Sequence, residues 1–264
     1  MIKTSLIIST YNWPEALELC LKSILGMIML PTEVIIADDG SDDVTRLLID
    51  KFEKLFPVPL IHIWQPDEGF RKTLILNKAV KVAQSDYIIQ IDGDVILDKH
   101  FVYDHVVNAE AGVFIRGTRA MLTKDKTEQV LKTKSTSLSP FHGGISNRNN
   151  ALRIPLFKWL ATRKEMSSEK VRGSNLSYFK KDFIQVNGYN NNLTGWGHED
   201  EELAARFINS GIMKKILKLA AVQYHLFHSI SEKDKEPAHA REVNKVLTQK
   251  LTFCTYGFDS LDND

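Results

Sequence analysis

The chain has 264 residues, of which 43% are hydrophobic, 25% charged and 9% aromatic, which is the composition of an ordinary globular protein. This length favours one large domain or two small ones, and the composition excludes a disordered tail protein and a disulfide-stapled secreted module. The formal net charge is +1, which gives no overall basic excess for nucleic acid, so we expect no nucleic-acid partner.

The cysteines and the apolar runs bear on the compartment of the protein. Cys20 and Cys254 are the only cysteines, and we expect reduced thiols rather than a disulfide. The apolar run near the N-terminus is too short for a signal peptide. The longest other run, residues 24–30, is far below the roughly 20 residues that span a bilayer. We therefore expect a cytoplasmic protein, or one peripheral on the cytoplasmic face of the inner membrane.

Short β-rich runs alternate with segments of helix length over the first hundred residues. The predicted order is strand 5–8, helix 15–25, strand 33–37, helix 44–55, strand 59–64, helix 72–83 and strand 87–91. The strands are continuously apolar, as they are when helices cover both faces of a parallel sheet. The pattern predicts an α/β fold with a doubly wound, Rossmann-like half.

Polar clusters follow three of these strands. They are Thr10-Tyr11-Asn12, Asp38-Asp39-Gly40-Ser41 and Asp92-Gly93-Asp94. Ligands bind outside the carboxyl ends of strands in an open parallel sheet, so we expect the clusters to converge on one crevice. Two carboxylates separated by glycine can face one divalent cation, and hard oxygen ligands favour magnesium or manganese. A plain turn, or capping of the next helix, is the alternative for the acidic clusters.

Basic residues precede the third predicted helix. Arg71 and Lys72 lie at its N-terminus, against the dipole preference for acids there, and Asn77 follows on the first turns. Cations at this position are explained if they meet an anion such as a diphosphate, which a helix N-terminus also attracts. A solvated basic turn is the alternative.

The stretch 116–172 is strongly basic. It holds thirteen lysines and arginines against four acids, a net charge of +9. Within it, residues 152–159 followed by Arg163 and Lys164 predict an amphipathic basic helix. Such a stretch is either a solvated face or a surface for anionic lipid or for a phosphate-bearing acceptor.

The elements predicted after residue 172 are strand 176–179, helix 181–186, helix 199–209, strand 222–228 and helix 238–251. Glycines flank Trp196 in a loop, which exposes a flat ring of the kind that grips sugars. Four acids follow at the start of a helix, whose dipole stabilises carboxylates, and an anionic carboxylate beside a bound hydroxyl can act as a general base. Capping acids with a core tryptophan are the alternative. His225 or His228 could complete a metal site begun by Asp94 if their strand returns to the crevice.

Together these motifs resemble a known enzyme family. STYN, ADDGS, EGFRKTLILNKAV and IDGD resemble the nucleotide-binding half of family-two glycosyltransferases of the GT-A fold. Residues 172–228, with a GWG-x-ED signature, are similar to the C-terminal region of β-1,4-galactosyltransferases and of bacterial chondroitin-type polymerases. The resemblance implies one GT-A domain with a mostly parallel central sheet flanked by helices. Its parts are a nucleotide-sugar-binding half (1–100), a variable basic insert (101–172), an acceptor and catalytic portion (173–236), and a C-terminal helix and tail (237–264).

The resemblance also implies an activity. It is the inverting transfer of a hexose or N-acetylhexosamine from a UDP-sugar to a hydroxyl of a saccharide or lipid-linked saccharide, in bacterial surface polysaccharide or lipid-linked glycan synthesis. Manganese or magnesium would be the cofactor. A sugar-1-phosphate nucleotidyltransferase is one alternative, although its usual Gly-rich basic loop is replaced after the first strand by STYNWPEA. A non-catalytic nucleotide-sugar-binding module is another, and it would not need the acids at 199 and 200.

Residue roles follow from the same resemblance, position by position. The residues assigned to the nucleotide sugar are Thr10, Tyr11, Asn12, Asp38, Asp39, Arg71, Asn77, Asp92 and Gly93. Of these, Thr10, Tyr11 and Asp39 would hold the base, Arg71 would lie beside base and phosphates, and Asp92 would contact the ribose.

The remaining roles concern metal, acceptor and catalysis. Asp94 would bind the metal with His225 or His228. Trp196 and Glu199 would hold the acceptor, and Asp200 would be the catalytic base. His198 stands where the family usually has the third glycine of GWGGED, so the resemblance does not predict the conformation of this loop.

Overall fold

Alternating strands and helices form the first third of the chain. The computed structural model describes residues 2–228 and 235–262; residues 229–234, in the predicted acceptor portion, and 263–264, in the predicted tail, lie outside the described residues, as does Met1. The first elements are β1 Thr4–Thr10, α1 Pro14–Leu25, β2 Glu33–Asp38, α2 Asp43–Glu53, β3 Leu60–Trp64, α3 Lys72–Val82 and β4 Tyr87–Asp92. The predicted elements of this part are confirmed, and their ends differ from the prediction by at most two residues.

The strands in the rest of the chain are shorter, with two to four residues each. The elements of this part are β5 Val95–Leu97, α4 Phe101–Val106, β6 Val113–Arg116, β7 Ala120–Leu122, α5 Lys124–Thr133, β8 Ile145–Ser146, α6 Lys158–Ala161, β9 Arg163–Glu165, β10 Leu176–Phe179, α7 Lys180–Gln185, α8 Glu199–Asn209, β11 Met213–Ile216, β12 Gln223–His225 and α9 Glu236–Thr248. None of the helices in the described part of the chain is long and apolar enough to cross a membrane.

The main sheet has eight strands in the order β3-β2-β1-β4-β10-β6-β11-β9. The strands β1 to β4 are parallel, and Ile7 of β1 is paired with both Ile35 and Gln90. Strand β10 runs antiparallel between β4 and β6, so it carries the C-terminal half of the chain into the middle of the sheet. The predicted mostly parallel central sheet is therefore confirmed, with β9 and β10 as its antiparallel members.

A second sheet of four strands brings distant segments to the end of β4. Its order is β5-β12-β7-β8, and β12 is antiparallel to β5. This register pairs His225 with Val95, the residue that follows Asp94. The strand predicted over 222–228 therefore does return to the crevice.

Two apolar layers cover the faces of the main sheet. Leu6 and Ile8 of β1 lie in one layer with α1 and α2, whereas Ile7 lies in the other with α3 and α8. All three side chains are fully buried, and each contributes about 1.5–3 kcal/mol relative to exposure. This two-sided burial is why the strands read as continuous apolar runs. Cys20 and Cys254 are buried free thiols.

The amphipathic helix predicted over 152–159 is wrong. The structure has a 3₁₀ turn, Pro155–Phe157, and then the single turn of α6. Pro155 cannot donate a backbone hydrogen bond, and Ile154 before it has non-helical backbone (φ −136°, ψ 76°), because a residue before proline is disfavoured in the helical region. These two effects prevent a continuous helix from forming.

Candidate functional site

A cavity of about 820 Å³ opens at the carboxyl ends of β1 and β4. Both strands end in the polar clusters noted above, and the loop after residue 194 and the end of β12 close its other sides. The predicted site residues that line it are Thr10, Tyr11, Asp39, Asp92, Gly93, Asp94, Trp196, His225 and His228. The structure thus brings together residues from five separate parts of the sequence.

Asp39 and Tyr11 lie at one side of this cavity. The Asp39 carboxylate accepts hydrogen bonds from Gln65 Nε2 at 2.6 Å and from the Arg71 backbone N–H at 2.8 Å. Burial raises the pKa of Asp39 above its ordinary value. Tyr11 is half exposed, and its hydroxyl donates to Asp67 at 2.8 Å. The pair offers an aromatic face and a fixed carboxylate to a planar polar group.

Asp92 is fixed by a lysine. Its Oδ1 accepts from Lys72 Nζ at 2.6 Å and from Ser9 Oγ at 3.0 Å. Burial alone would raise the pKa of Asp92, but the Lys72 ammonium outweighs it and lowers the pKa to about 2. A Cβ on Gly93 would lie 3.1 Å from the Ser9 carbonyl oxygen, so glycine lets this turn lie against the end of β1.

Asp94, His225 and His228 form a potential metal site. The Nε2 atoms of His225 and His228 lie 3.4 Å and 3.2 Å from Asp94 Oδ2. The other oxygen, Asp94 Oδ1, is buried and has no hydrogen-bond partner among residues 2–228 and 235–262. His225 Nδ1 lies 2.7 Å from the Leu226 carbonyl oxygen, to which it donates, so Nε2 keeps its lone pair for a cation. One carboxylate and two imidazoles therefore fit a divalent ion.

Arg71, assigned above to the base and phosphates, does not line the cavity. Its guanidinium contacts Glu68 and the Pro66 carbonyl oxygen, both at 2.6 Å. The next residue, Lys72, points inward and lines the cavity instead. The basic turn before α3 indicated that a cation faces the cavity, but it did not indicate which one, because two adjacent residues at a helix start point in different directions.

Two arginines that no sequence motif indicated, Arg119 and Arg172, also line the cavity. Neither forms an ion pair with any residue that the structure describes. Burial and the charge of Arg172 lower the pKa of Arg119. The only sequence signal was the basic composition of 116–172, which does not distinguish these two residues from the surface cations.

Asn77 is not in the cavity, which corrects its assignment to the nucleotide sugar. Its side chain is fully buried. The amide donates to the Tyr189 carbonyl and to Asn191, both at 2.8 Å, and accepts from the Tyr189 N–H. Asn77 therefore joins α3 to the segment that precedes α8.

Asp38 and Asn12 also lie outside the cavity lining, and they fix its walls. Asp38 is buried, with one oxygen 2.9 Å from His62 Nε2 and the other accepting from the Ser41 N–H. Asn12 accepts from the Asp42 N–H, and its own N–H donates to Ser41 Oγ. The end of β1 is thus tied to the end of β2.

The loop around Trp196 uses left-handed backbone at three positions. Gly195, Gly197 and His198 have φ values of 95°, 111° and 63°. His198 therefore keeps the backbone that glycine adopts most easily, and its Nδ1 lies 2.7 Å from Glu201. The turn places the half-buried Trp196 ring at the cavity wall.

Asp200 and Glu199 begin helix α8 beside the cavity but do not line it. Asp200 accepts from the Gly173 N–H at 2.6 Å and from the Tyr189 hydroxyl at 2.8 Å. A carboxylate has about four acceptor positions, so Asp200 can still accept a proton. Burial opposes the charge of Lys72, yet the carboxylates of Asp92, Asp200 and Glu199 together raise its pKa. The Tyr189 hydroxyl also accepts from Gln90 Nε2 at 2.9 Å, two residues before Asp92 on β4, so Asp200 lies on the same side of the molecule as Asp92.

Glu199 is expected to make stability depend on pH. Burial and the nearby Asp200 charge raise its pKa from 4.5 to about 7. The folded state therefore binds more protons than the unfolded state between these values, and the free energy of unfolding falls as the pH rises through them. We expect Glu199→Gln to melt at a higher temperature than the wild type near pH 8 and to lose this advantage near pH 4. Calorimetric melting temperatures over this range test the prediction, and parallel pH profiles for the two proteins would contradict it.

Helix α9 holds the tryptophan loop from behind. Buried His239 donates from Nδ1 to the Gly197 carbonyl oxygen at 2.7 Å. We expect His239→Ala to lower the free energy of unfolding by about 1.5 kcal/mol, because a buried hydrogen bond is lost. Asn244→Ala, at an exposed position of the same helix, is the control. Equal denaturant midpoints for His239→Ala and the wild type would contradict this role.

Two family models and several curated proteins match the chain. The model of glycosyl transferase family 2 matches residues 5–166, and the model described as the N-terminal domain of galactosyltransferase matches residues 158–229. Chondroitin synthase of Escherichia coli is 23% identical over 266 residues, which cover 94% of this chain and 38% of that protein. Validoxylamine A glucosyltransferase of Streptomyces hygroscopicus subsp. limoneus is 26% identical, covering 79% of this chain and 48% of that protein. The chain thus spans less than half the length of these relatives.

Solved structures share the fold. GalNAc-T7, solved with UDP, GalNAc and Mn²⁺, superposes with a TM-score of 0.70 at 12% identity, covering 93% of this chain and 48% of that one. TarS of S. aureus with UDP gives a TM-score of 0.63 at 16% identity, covering 94% and 65%. The fold is the GT-A fold predicted from the sequence. Because the first family model covers most of the chain, the protein belongs to glycosyl transferase family 2.

Proposed function

We propose that this protein is an inverting glycosyltransferase that moves a hexose or N-acetylhexosamine from a UDP-sugar to a hydroxyl of a saccharide. The observation that carries the proposal is the meeting of Asp94, His225 and His228 with Lys72 and Trp196 around one cavity. Cation ligands, a fixed ammonium and an aromatic platform in one cavity suit a nucleotide diphosphate sugar and a second sugar. We further propose that all of these parts belong to one catalytic domain.

The donor would lie along the ends of β1 and β4. We assign the base to Tyr11 and Asp39 and the ribose to Asp92, with Thr10 and Gly93 at the floor between them. Arg71 and Asn77 are left out of this assignment, and Lys72 replaces Arg71. Two of the solved structures with this fold contain UDP and one contains GDP-mannose, so UDP is our choice among nucleotides that the fold accepts.

The metal would be held by Asp94, His225 and His228. We favour manganese over magnesium, because magnesium takes mostly oxygen ligands whereas two of these three ligands are imidazole nitrogens. A bound divalent ion would neutralise the negative charge of the diphosphate leaving group. Lys72, Arg119 and Arg172 add positive charge to the same cavity from the protein itself.

Catalysis would depend on Asp200 as the base and on the relative positions of the two sugars. In the reaction the acceptor oxygen bonds to C1 of the donor sugar, the bond from C1 to the diphosphate oxygen breaks, and UDP leaves with its electron pair. Asp200 takes the proton of the attacking hydroxyl. Hydrogen bonds from Gly173 and Tyr189 fix the Asp200 carboxylate, and Trp196 with Glu199 would fix the acceptor, so that the two sugars meet in line.

We place this reaction in the cytoplasm, at the cytoplasmic face of a membrane, in the assembly of a bacterial surface polysaccharide or lipid-linked glycan. The names of the relatives support the class of product, since they include chondroitin, hyaluronan and poly-β-1,6-N-acetylglucosamine synthases. The acceptor would then be a saccharide, free or carried on a lipid.

A panel of UDP-sugars tests the proposal. We expect one of them to release UDP in the presence of Mn²⁺, faster with a saccharide acceptor than without, and EDTA to stop the release. Formation of UTP from a UDP-sugar and pyrophosphate would instead identify a sugar-1-phosphate nucleotidyltransferase. Tight binding of UDP-sugars without any turnover, over a broad acceptor panel, would identify a non-catalytic binding module.

A further inference from the structure

Residues 154–160, which we call the apolar segment, expose their apolar side chains and turn their one charged side chain inward. Their large apolar side chains are exposed by 37% to 76%, namely Ile154, Leu156, Phe157, Trp159 and Leu160. The only charged residue among them, Lys158, is turned inward and donates to Asn108 Oδ1 at 3.0 Å. Single exposed apolar residues are ordinary, but a contiguous group of this kind marks an interaction surface.

Contacts with the body of the protein fix the apolar segment. The Arg153 guanidinium donates two hydrogen bonds to the buried Asp104 carboxylate, at 2.8 Å and 2.7 Å. The Ile154 N–H donates to the Leu219 carbonyl at 3.0 Å. Charged hydrogen bonds of this two-pronged geometry are strong and directional. The exposed side chains are therefore presented by an anchored turn.

Cations adjoin the apolar segment. Strand β9 follows it and pairs Arg163 with Ile216, and from there the chain runs through Lys218 to Leu219, which contacts Ile154. A hollow of about 400 Å³ at this edge contains the cations Arg116, Arg163, Lys170 and Lys218 together with Glu165 and Glu169.

Most of these cations are not neutralised by the protein. Arg163 pairs with Glu165 at 3.1 Å. Arg116, Lys170 and Lys218 form no ion pair with any residue in the described ranges, and Lys170 and Lys218 are exposed. The hollow therefore offers free positive charge beside an apolar surface that contains tryptophan and phenylalanine.

We propose that the apolar segment inserts into the interface of an anionic membrane, while Lys170, Lys218 and Arg116 bind headgroup phosphates. Aromatic and leucine side chains beside lysine and arginine are what interfacial segments bring to a bilayer surface, and the charge complements anionic lipid. This surface would hold the protein at the peripheral membrane location proposed above. It does not depend on the glycosyl transfer.

Vesicle sedimentation with the full chain tests this proposal. We expect binding to vesicles that contain phosphatidylglycerol and little binding to pure phosphatidylcholine. The double variant Trp159→Ser/Leu160→Ser should lose most of this binding, and Lys218→Glu should lower it about fivefold or more, since each basic residue near an anionic surface contributes that much. The matched control is Val44→Ser/Leu47→Ser, which alters two apolar residues on α2 that are also more than half exposed, and it should bind as the wild type does.

Three results would overturn the membrane assignment. One is the absence of binding to phosphatidylglycerol vesicles, and another is equal loss of binding in the α2 control. The third is a lipid-free dimer, seen by light scattering, that the Trp159→Ser/Leu160→Ser variant dissociates, because the segment would then contact a second copy of this chain. UDP release without lipid should be unchanged in all of these variants, which separates a failure of docking from a failure of the proposed reaction.

Discussion

Replacing Asp200 with asparagine is expected to lower turnover at least about 100-fold, the low end of general-base contributions, with little change in UDP affinity. Asparagine has nearly the same shape, but its amide cannot take the proton of the attacking hydroxyl. The loss should therefore appear in kcat far more than in the KM for the donor. Single-turnover rates with saturating UDP-sugar and acceptor measure it, alongside UDP titrations by calorimetry.

The control for this variant is Asp50→Asn, the same change on the exposed side of α2. Asp200 also accepts two hydrogen bonds, so Asp200→Asn can lower the melting temperature, and rates should be compared well below it. Asp200→Glu keeps a carboxylate and should recover part of the rate. Turnover of Asp200→Asn within a few-fold of the wild type would remove Asp200 from the catalytic role.

Replacing Asp94 with alanine is expected to weaken manganese-dependent UDP binding at least about 100-fold, because even a partner of a metal ligand is worth 10- to 100-fold in affinity. UDP binding without added metal should change much less, since Tyr11, Asp39 and Lys72 remain. Calorimetric titration of UDP with and without Mn²⁺ separates the metal-dependent part of UDP binding from the metal-independent part. Asp86→Ala, at an exposed site before β4, is the control.

The two histidines should differ in this experiment. His225 is buried, with its Nδ1 committed to the Leu226 carbonyl, whereas the side chain of His228 is 40% exposed. We therefore expect His225→Ala to weaken Mn²⁺-dependent UDP binding more than His228→Ala. Equal UDP affinity with and without Mn²⁺ in the wild type would contradict the assignment of this trio as a metal site.

Local sequence patterns were sufficient for the first half of the fold. Continuous apolar runs such as that of β1 mean burial on both faces, and the chain must then alternate strands with covering helices. The carboxyl ends of parallel strands share one edge, so the meeting of Thr10, Asp39 and Asp92 could be derived without coordinates. These inferences succeed because they depend on short segments and on one rule of topology.

Other features depended on contacts between distant segments. The pairing of β12 with β5 brings His225 beside Asp94, and hydropathy alone could not select that register. Asn77 is a polar residue close in sequence to Lys72, which lines the cavity. Its side chain is nevertheless fully buried and donates to the Tyr189 carbonyl oxygen. Similarly, only the structure shows that the Lys72 side chain points into the cavity whereas the Arg71 side chain points away from it.

By itself, the sequence determined the α/β architecture, the family and the edge of the sheet at which the polar clusters meet, because apolar periodicity and short motifs are local properties of the chain. Only the tertiary structure decided which polar residues face the cavity and which form hydrogen bonds within its walls. It also decided that the apolar side chains of residues 154–160 are exposed. Those outcomes follow from competition among distant partners for each buried hydrogen bond and for each apolar contact, and no single segment contains that information.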